Sequence, residues 1–185
     1  MKVKEVVLTA AGLLGMKKEM EEYLSSTASS AKKKVDEFVD CFNLVENELA
    51  LDYVPLRTKG TFLVEGGVVR FNIFTSEPAR VLSVTDEQGK RLEYTIFPTD
   101  IRLPEDVKVV KIEYAYLPKK KTIDEESDYQ SRVSVGLMAY GVAAEYCAAQ
   151  GLYAEAAFWN KKYKECIPRV HEAQRGGKIP SRKWV

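Results

Sequence analysis

Few residues of this 185-residue chain have the type and spacing to carry out a reaction. The single histidine, His171, stands beside Arg169 and Glu172, so any imidazole-based proton transfer falls to it. A nucleophile needs an adjacent base, and none is placed in sequence beside Cys41, Cys147 or Cys166. These three cysteines are too few and too scattered for a disulfide framework or a zinc site, and read as small apolar residues on helical faces. Asp124, Glu125, Glu126 and Asp128 have the oxygen donors to hold a divalent cation. The stronger expectation is that they precede a helix and complement its dipole, with Ser127 or Asp128 as the cap. Glu145 lies among Ala144, Tyr146 and Ala148, which predicts a buried carboxylate in a structural hydrogen bond or ion pair. The runs Lys32–Lys34 and Lys119–Lys121 are able to touch phosphates, but read by default as a solvated helix start and a solvated loop. There is no GxSxG, GK[ST] phosphate loop, GxGxxG, HExxH or CxxC. The expectation is a non-enzymatic protein with no cofactor and no metal site.

Composition narrows the classes further. The chain is 45% hydrophobic and 30% charged, which suits a folded protein with one sizeable core. Lys plus Arg is 28 against 27 Asp plus Glu, a net charge of +1, so a global basic footprint for nucleic acid is absent. The most apolar stretch, Val133 to Trp159, is interrupted by Glu145, Gln150 and Glu155 and is built from Ala and Gly. It predicts buried helices rather than a membrane span. The opening residues lack the cleavage pattern of a signal peptide, and a reducing compartment is the simplest reading of the cysteines.

The elements that must position these residues are legible from periodicity. Val3, Val6, Val7, Ala10, Ala11 and Leu14 predict a first helix that Gly15 stops. Lys17 to Leu24 predicts a second, and SSTASS (25–30) a joint. Val35, Phe38, Val39, Phe42, Val45 and Leu49 make one broad apolar face on a longer helix that ends by Pro55. The period then changes. Thr61 to Phe74, centred on Gly66-Gly67, predicts a tight hairpin, and Val81 to Thr85 with Arg91 to Phe97 a second around Asp86-Glu87-Gln88-Gly89. Val107 to Leu117 alternates as a last strand. Helix returns near Tyr129. A second stripe, Leu152, Ala156, Trp159, Tyr163 and Cys166, ends at Pro168, with Trp159 expected in the core. Gly136, Ala139, Gly141, Ala143 and Ala144 leave room for another helix to approach closely. Tyr153, Ala157 and Phe158 lie on the side of this last helix opposite its stripe, as a face left apolar in the monomer.

The predicted fold class is therefore α+β. Residues 1–57 and 119–167 form a helical bundle, residues 58–118 an inserted antiparallel β-hairpin sheet, and residues 168–185 an extended C-terminal arm. The arm holds Arg169, Arg175, Lys178, Arg182 and Lys183 against Glu172, a net +4, together with Gly176-Gly177, Pro180 and Trp184. A basic segment with a lone aromatic anchor and no core of its own calls for a partner.

The segment RVSVGLMAYGVAAEYCAAQGLYAEAAFWNKKYKECI (132–167), with NLVENELALDY (43–53), resembles the helical regions of head-to-tail connector (adaptor) proteins of tailed bacteriophages. The likeness covers nearly the whole chain in outline: leading helices, an extended insertion, a return to the bundle. The smallest members of that family are mostly helix with little sheet, so the β module is a departure. The resemblance implies a structural virion protein at the neck, made in the host cytoplasm. It implies a homo-oligomeric ring, usually of twelve subunits, beneath the portal, docking the stopper or tail proteins. DNA would pass through the channel without specific binding, which the near-neutral charge suits. Carried over, Arg169, Arg175, Lys178, Arg182, Lys183 and Trp184 become the portal-binding arm. The competing reading is a small nucleic-acid-binding regulatory protein that uses the lysine runs and basic tail.

Overall fold

The computed structural model describes residues 1–130 and 133–174, without the side chains of residues 171–174. The fold is mixed helix and sheet: five α-helices and two small antiparallel sheets of three strands each. The chain divides into two compact units, one of Met1–Val45 with Thr122–Val185, the other Glu46–Lys121.

The first unit is helical. Helix α1 (Val3–Leu13) buries Val3, Val6, Val7, Ala10 and Ala11 completely, and Gly15 follows at φ 76°, a left-handed conformation suited to stopping a helix. Helix α2 (Lys17–Ser25) anchors through Met20. Helix α3 (Ser29–Glu48) begins in the SSTASS segment and shows the predicted face, with Val35, Phe38, Val39, Phe42 and Val45 buried. Helix α4 (Val135–Ala149) is covered almost all round, as a central helix must be, and packs against α1 and α5. Its small residues act as expected at Gly141. A Cβ there would stand 2.7 Å from Val45 Cγ1 and 3.2 Å from Tyr163 Cδ2, so the α3 and α5 side chains meet the α4 backbone itself.

Three expectations for this unit fail. The fourth helix starts at Val135, not near Tyr129, because Ser134 supplies the cap: its Oγ accepts the Leu137 N–H at 3.1 Å. The acidic segment before it is spent elsewhere. Ser127 N–H donates to the Met1 carbonyl at 2.9 Å and Val3 N–H to the Glu125 carbonyl at 3.0 Å, which ties this segment to the start of α1. Helix α5 (Tyr153–Gln174) also runs straight through Pro168. Proline removes one ladder hydrogen bond, but Ile167 and Val170 on either side are buried and hold the helix beyond it. The first seven residues assigned to the arm thus continue α5.

The second unit opens with the end of α3, which passes into a π-helical turn at Leu49–Tyr53 before Pro55. Strands β1 (Leu56–Leu63), β6 (Val109–Tyr116) and β3 (Pro78–Thr85) form one sheet in that spatial order; β2 (Val68–Arg70), β5 (Asp100–Arg102) and β4 (Thr95–Ile96) form the other. Both sheets contribute to one core of Phe62, Val69, Phe74, Val84, Ile101, Ile112 and Tyr114. Strand β6 alternates as read from sequence: Val110, Ile112 and Tyr114 are buried while Lys111 faces out.

The hairpin turns form, but their strands do not stay together. Gly66 and Gly67 take φ of 59° and 74°, and Glu65 and Val68 exchange hydrogen bonds across the turn. Beyond that bridge β1 pairs along its whole length with β6 (Leu56 opposite Tyr116 to Leu63 opposite Val109), and β2 pairs with β5. The Asp86–Lys90 turn likewise closes only through the Thr85–Arg91 bridge, with the Leu92 N–H donating to the Val84 carbonyl at 3.0 Å, before the chain moves to the other sheet. The single expected sheet is therefore two.

Candidate functional site

The residues singled out for chemistry do not converge. Glu145 is exposed rather than buried, and the buried carboxylate belongs to Glu46, only 1% exposed, on the last turn of α3. Cys41 is buried, and its thiol is pushed up to about 12, first by that burial and then by the Glu145, Asp40 and Glu37 carboxylates. Such a thiol is a packing group rather than a nucleophile. Cys147 is also buried, with its thiol raised by burial and by Glu155. Lys34, from the first lysine run, is engaged: its Nζ lies 2.8 Å from Glu37 Oε2 and 5.9 Å from the Tyr146 ring centre. Glu125 Oε2 accepts from the Thr122 backbone and hydroxyl at 2.6 and 2.9 Å. Among the described residues no group of three His, Cys, Asp or Glu side chains is placed to hold a metal ion, and no helix is long and apolar enough to cross a membrane. Arg169 is exposed on α5, whereas the His171 side chain and Arg175, Lys178, Arg182, Lys183 and Trp184 lie outside the described residues.

What the helical unit does present is an uncovered apolar surface. A groove of about 640 Å³ lies where the end of α1, the end of α4 and the start of α5 meet. Leu13, Leu14 and Met16 form one wall, Tyr146 and Cys147 another. Leu152, Glu155, Phe158 and Trp159 come from the α4–α5 turn and the first turns of α5. Gly151, at φ 75°, makes that turn sharp enough to bring both helices to one place. The wall is built rather than loose. Phe158 meets Trp159 edge-on at 4.9 Å, Trp159 stacks on Tyr140 at 5.9 Å, and Tyr146 stacks on Phe38 at 4.1 Å.

Of the groove's lining residues Leu152 is 48% exposed and Phe158 52%, and Tyr153, next in sequence to Leu152, is 75% exposed. Three large apolar groups within seven residues of sequence make a concentrated exposed apolar patch rather than scattered surface leucines. Tyr153 and Phe158 belong to the face expected to stay apolar. The expected core stripe holds only in part: Tyr163 is buried, Ala156, Trp159 and Cys166 are partly buried, and Leu152 stands out. The 3.6-residue period locates the stripe, but two turns at the start of α5 extend past what α4 can cover. Nor does the sequence identify Glu46 as the buried acid, since its neighbours Asn47 and Glu48 are polar.

No protein-family model matches the chain, and no curated protein matches it at a significant level.

Proposed function

We propose that this chain is a non-enzymatic structural protein of a virion, a head–tail connector that assembles as a ring under the portal and docks the stopper or tail proteins. The observation that carries the reading is the apolar surface at the start of α5, with Leu152, Tyr153 and Phe158 about half or more exposed on a well-packed helical unit. A surface of that kind suits a subunit buried against others in an assembly. The order of elements, helices around an inserted β unit, supports it, as does a net charge of +1 suited to DNA sliding past. In this reading the exposed Arg169 starts the portal-binding arm, which continues through Arg175, Lys178, Arg182, Lys183 and Trp184.

The test is electron microscopy of the protein mixed with the portal encoded beside it, with the full chain and with a chain cut after Gln174. The full chain is expected to add a ring to the portal. The truncated chain is expected to keep its helix content, because Ile167 and Val170 remain, and to be lost from portal particles. A full chain that leaves portals bare, and instead binds duplex DNA with an affinity falling steeply with salt, would replace this reading by the nucleic-acid-binding one.

A further inference from the structure

We infer that the groove between α1, α4 and α5 receives the basic C-terminal segment, residues 178–185, of a second copy of this chain, with Trp184 as the anchor. The inference stands apart from the virion reading, since it needs only another copy.

Three observations support it. The first is chemical fit. The groove is walled by Leu14, Leu152, Phe158 and Trp159 and holds about 640 Å³, ample for an indole, which is the large flat apolar group the segment carries. The second is charge. Glu155 is the one charged residue that lines the groove, and Lys162 Nζ stands 5.9 Å from the ring centre of Phe158 on its wall. Lys34, over Tyr146, is already paired with Glu37. Residues 175–185 carry Arg175, Lys178, Arg182 and Lys183 and no acid, so the basic pair next to Trp184 has Glu155 as its counter-charge when the indole is seated.

The third observation is reach, and it selects the second copy over the chain's own tail. From Trp159 to Gln174 the helix is about 22 Å long. A tail reversing at Gly176-Gly177 has the length to return over that distance, since six extended residues span about 20 Å. Its path, however, runs back along α5 past four exposed cations, Arg169, Lys164, Lys162 and Lys161, against one exposed carboxylate, Glu165, a stretch of net charge of the tail's own sign. Extended away from its helix, the segment from 175 spans up to about 36 Å and reaches a neighbour without following that ridge. The contact pairs one patch with a different patch, so repetition builds a closed ring or an open chain of subunits rather than a symmetric dimer. A portal binding the arm would have to draw it from this groove.

The test places a photo-crosslinking amino acid at position 185 of the full chain, beside an intact Trp184, and mixes isotopically heavy and light protein. Crosslinks joining heavy to light copies, from position 185 to peptides containing Leu13–Met16 or Leu152–Trp159, and fading on dilution, are expected. In sedimentation, Trp184→Ala and, separately, Leu152→Arg should weaken self-association roughly thirtyfold, the loss of an anchor worth about 2 kcal/mol. Leu152 is half-exposed, so its variant is expected to keep the parent's circular dichroism, and raised salt should weaken the wild-type contact. Crosslinks confined within one copy would overturn the inference in favour of the chain's own tail. Crosslinks to another surface, or a full chain that stays monomeric at every concentration, would overturn it outright.

Discussion

Replacing Gly141 by alanine tests whether α3, α4 and α5 meet as closely as described. The added methyl would lie 2.7 Å from Val45 Cγ1, 3.0 Å from its Cγ2 and 3.2 Å from Tyr163 Cδ2. Val45 is β-branched and stiff at χ1 within a helix, and Tyr163 is buried, so neither neighbour can simply swing away. Overpacking of this kind costs about 1–3 kcal/mol, while alanine in place of glycine inside a helix returns about 1 kcal/mol. The net expectation is a loss of about 0–2 kcal/mol centred near 1, or roughly 2–4 °C in the thermal midpoint of a chain this size at the centre of that range. The control is Gly136→Ala, where no atom lies within 4 Å of the new methyl and the propensity gain stands alone. Guanidinium and thermal unfolding followed at 222 nm measure both. The double variant Gly141→Ala/Val45→Ala should lose less than the sum of its parts, because the alanine at 45 makes room for the one at 141. A Gly141→Ala protein as stable as Gly136→Ala, or an additive double variant, would show that the helices do not touch at this point.

Two further outcomes follow from the same unit. The Cys41 thiol is pushed up to about 12, above its unfolded value, so the folded state keeps a proton the unfolded state gives up. Its stabilising effect is complete below the unfolded thiol range and is lost as pH rises toward 12; Cys41→Ala should flatten that alkaline limb of a stability–pH curve, and an unchanged slope would refute the assignment. Trp159→Ala should cost about half of the roughly 3–5 kcal/mol of a fully buried aromatic, because the ring is half-buried and held chiefly by Tyr140 and Phe158. A calorimetric loss at the full value would mean that the ring is enclosed.

Local features were legible in the sequence wherever neighbours along the chain decide them. The face of α1, the alternation of β6 and the positive φ at Gly66 and Gly67 all follow from side-chain period or from the freedom of glycine. Partner choice was not legible. Leu56–Leu63 and Val68–Arg70 flank a tight turn yet join different sheets, because the distant β6 offers β1 eight paired residues while the hairpin offers one bridge. Pro168 reads as a stop, and the helix continues because Ile167 and Val170 are packed from outside it. The exposed apolar patch was half legible: Tyr153 and Phe158 stand off the stripe, but the exposure of Leu152 depends on where α4 ends.

The tie between the first residues and Glu125–Ser127 gives synthesis of this chain an order. Residues Glu46–Lys121 emerge from the ribosome before any of α4, and β1 has its partner once Tyr116 is out. Helix α1 must wait. Its five fully buried residues belong to a helix that packs on α4, which is made well over a hundred residues later. At bacterial-to-eukaryotic elongation speeds of about 5–20 residues per second, the wait from Leu14 to Ala149 is roughly 7–27 s. During that interval the stripe Val3, Val6, Val7, Ala10 and Ala11 is a naked apolar ligand on the nascent chain, available to holding chaperones, while the later-made β unit is already able to close.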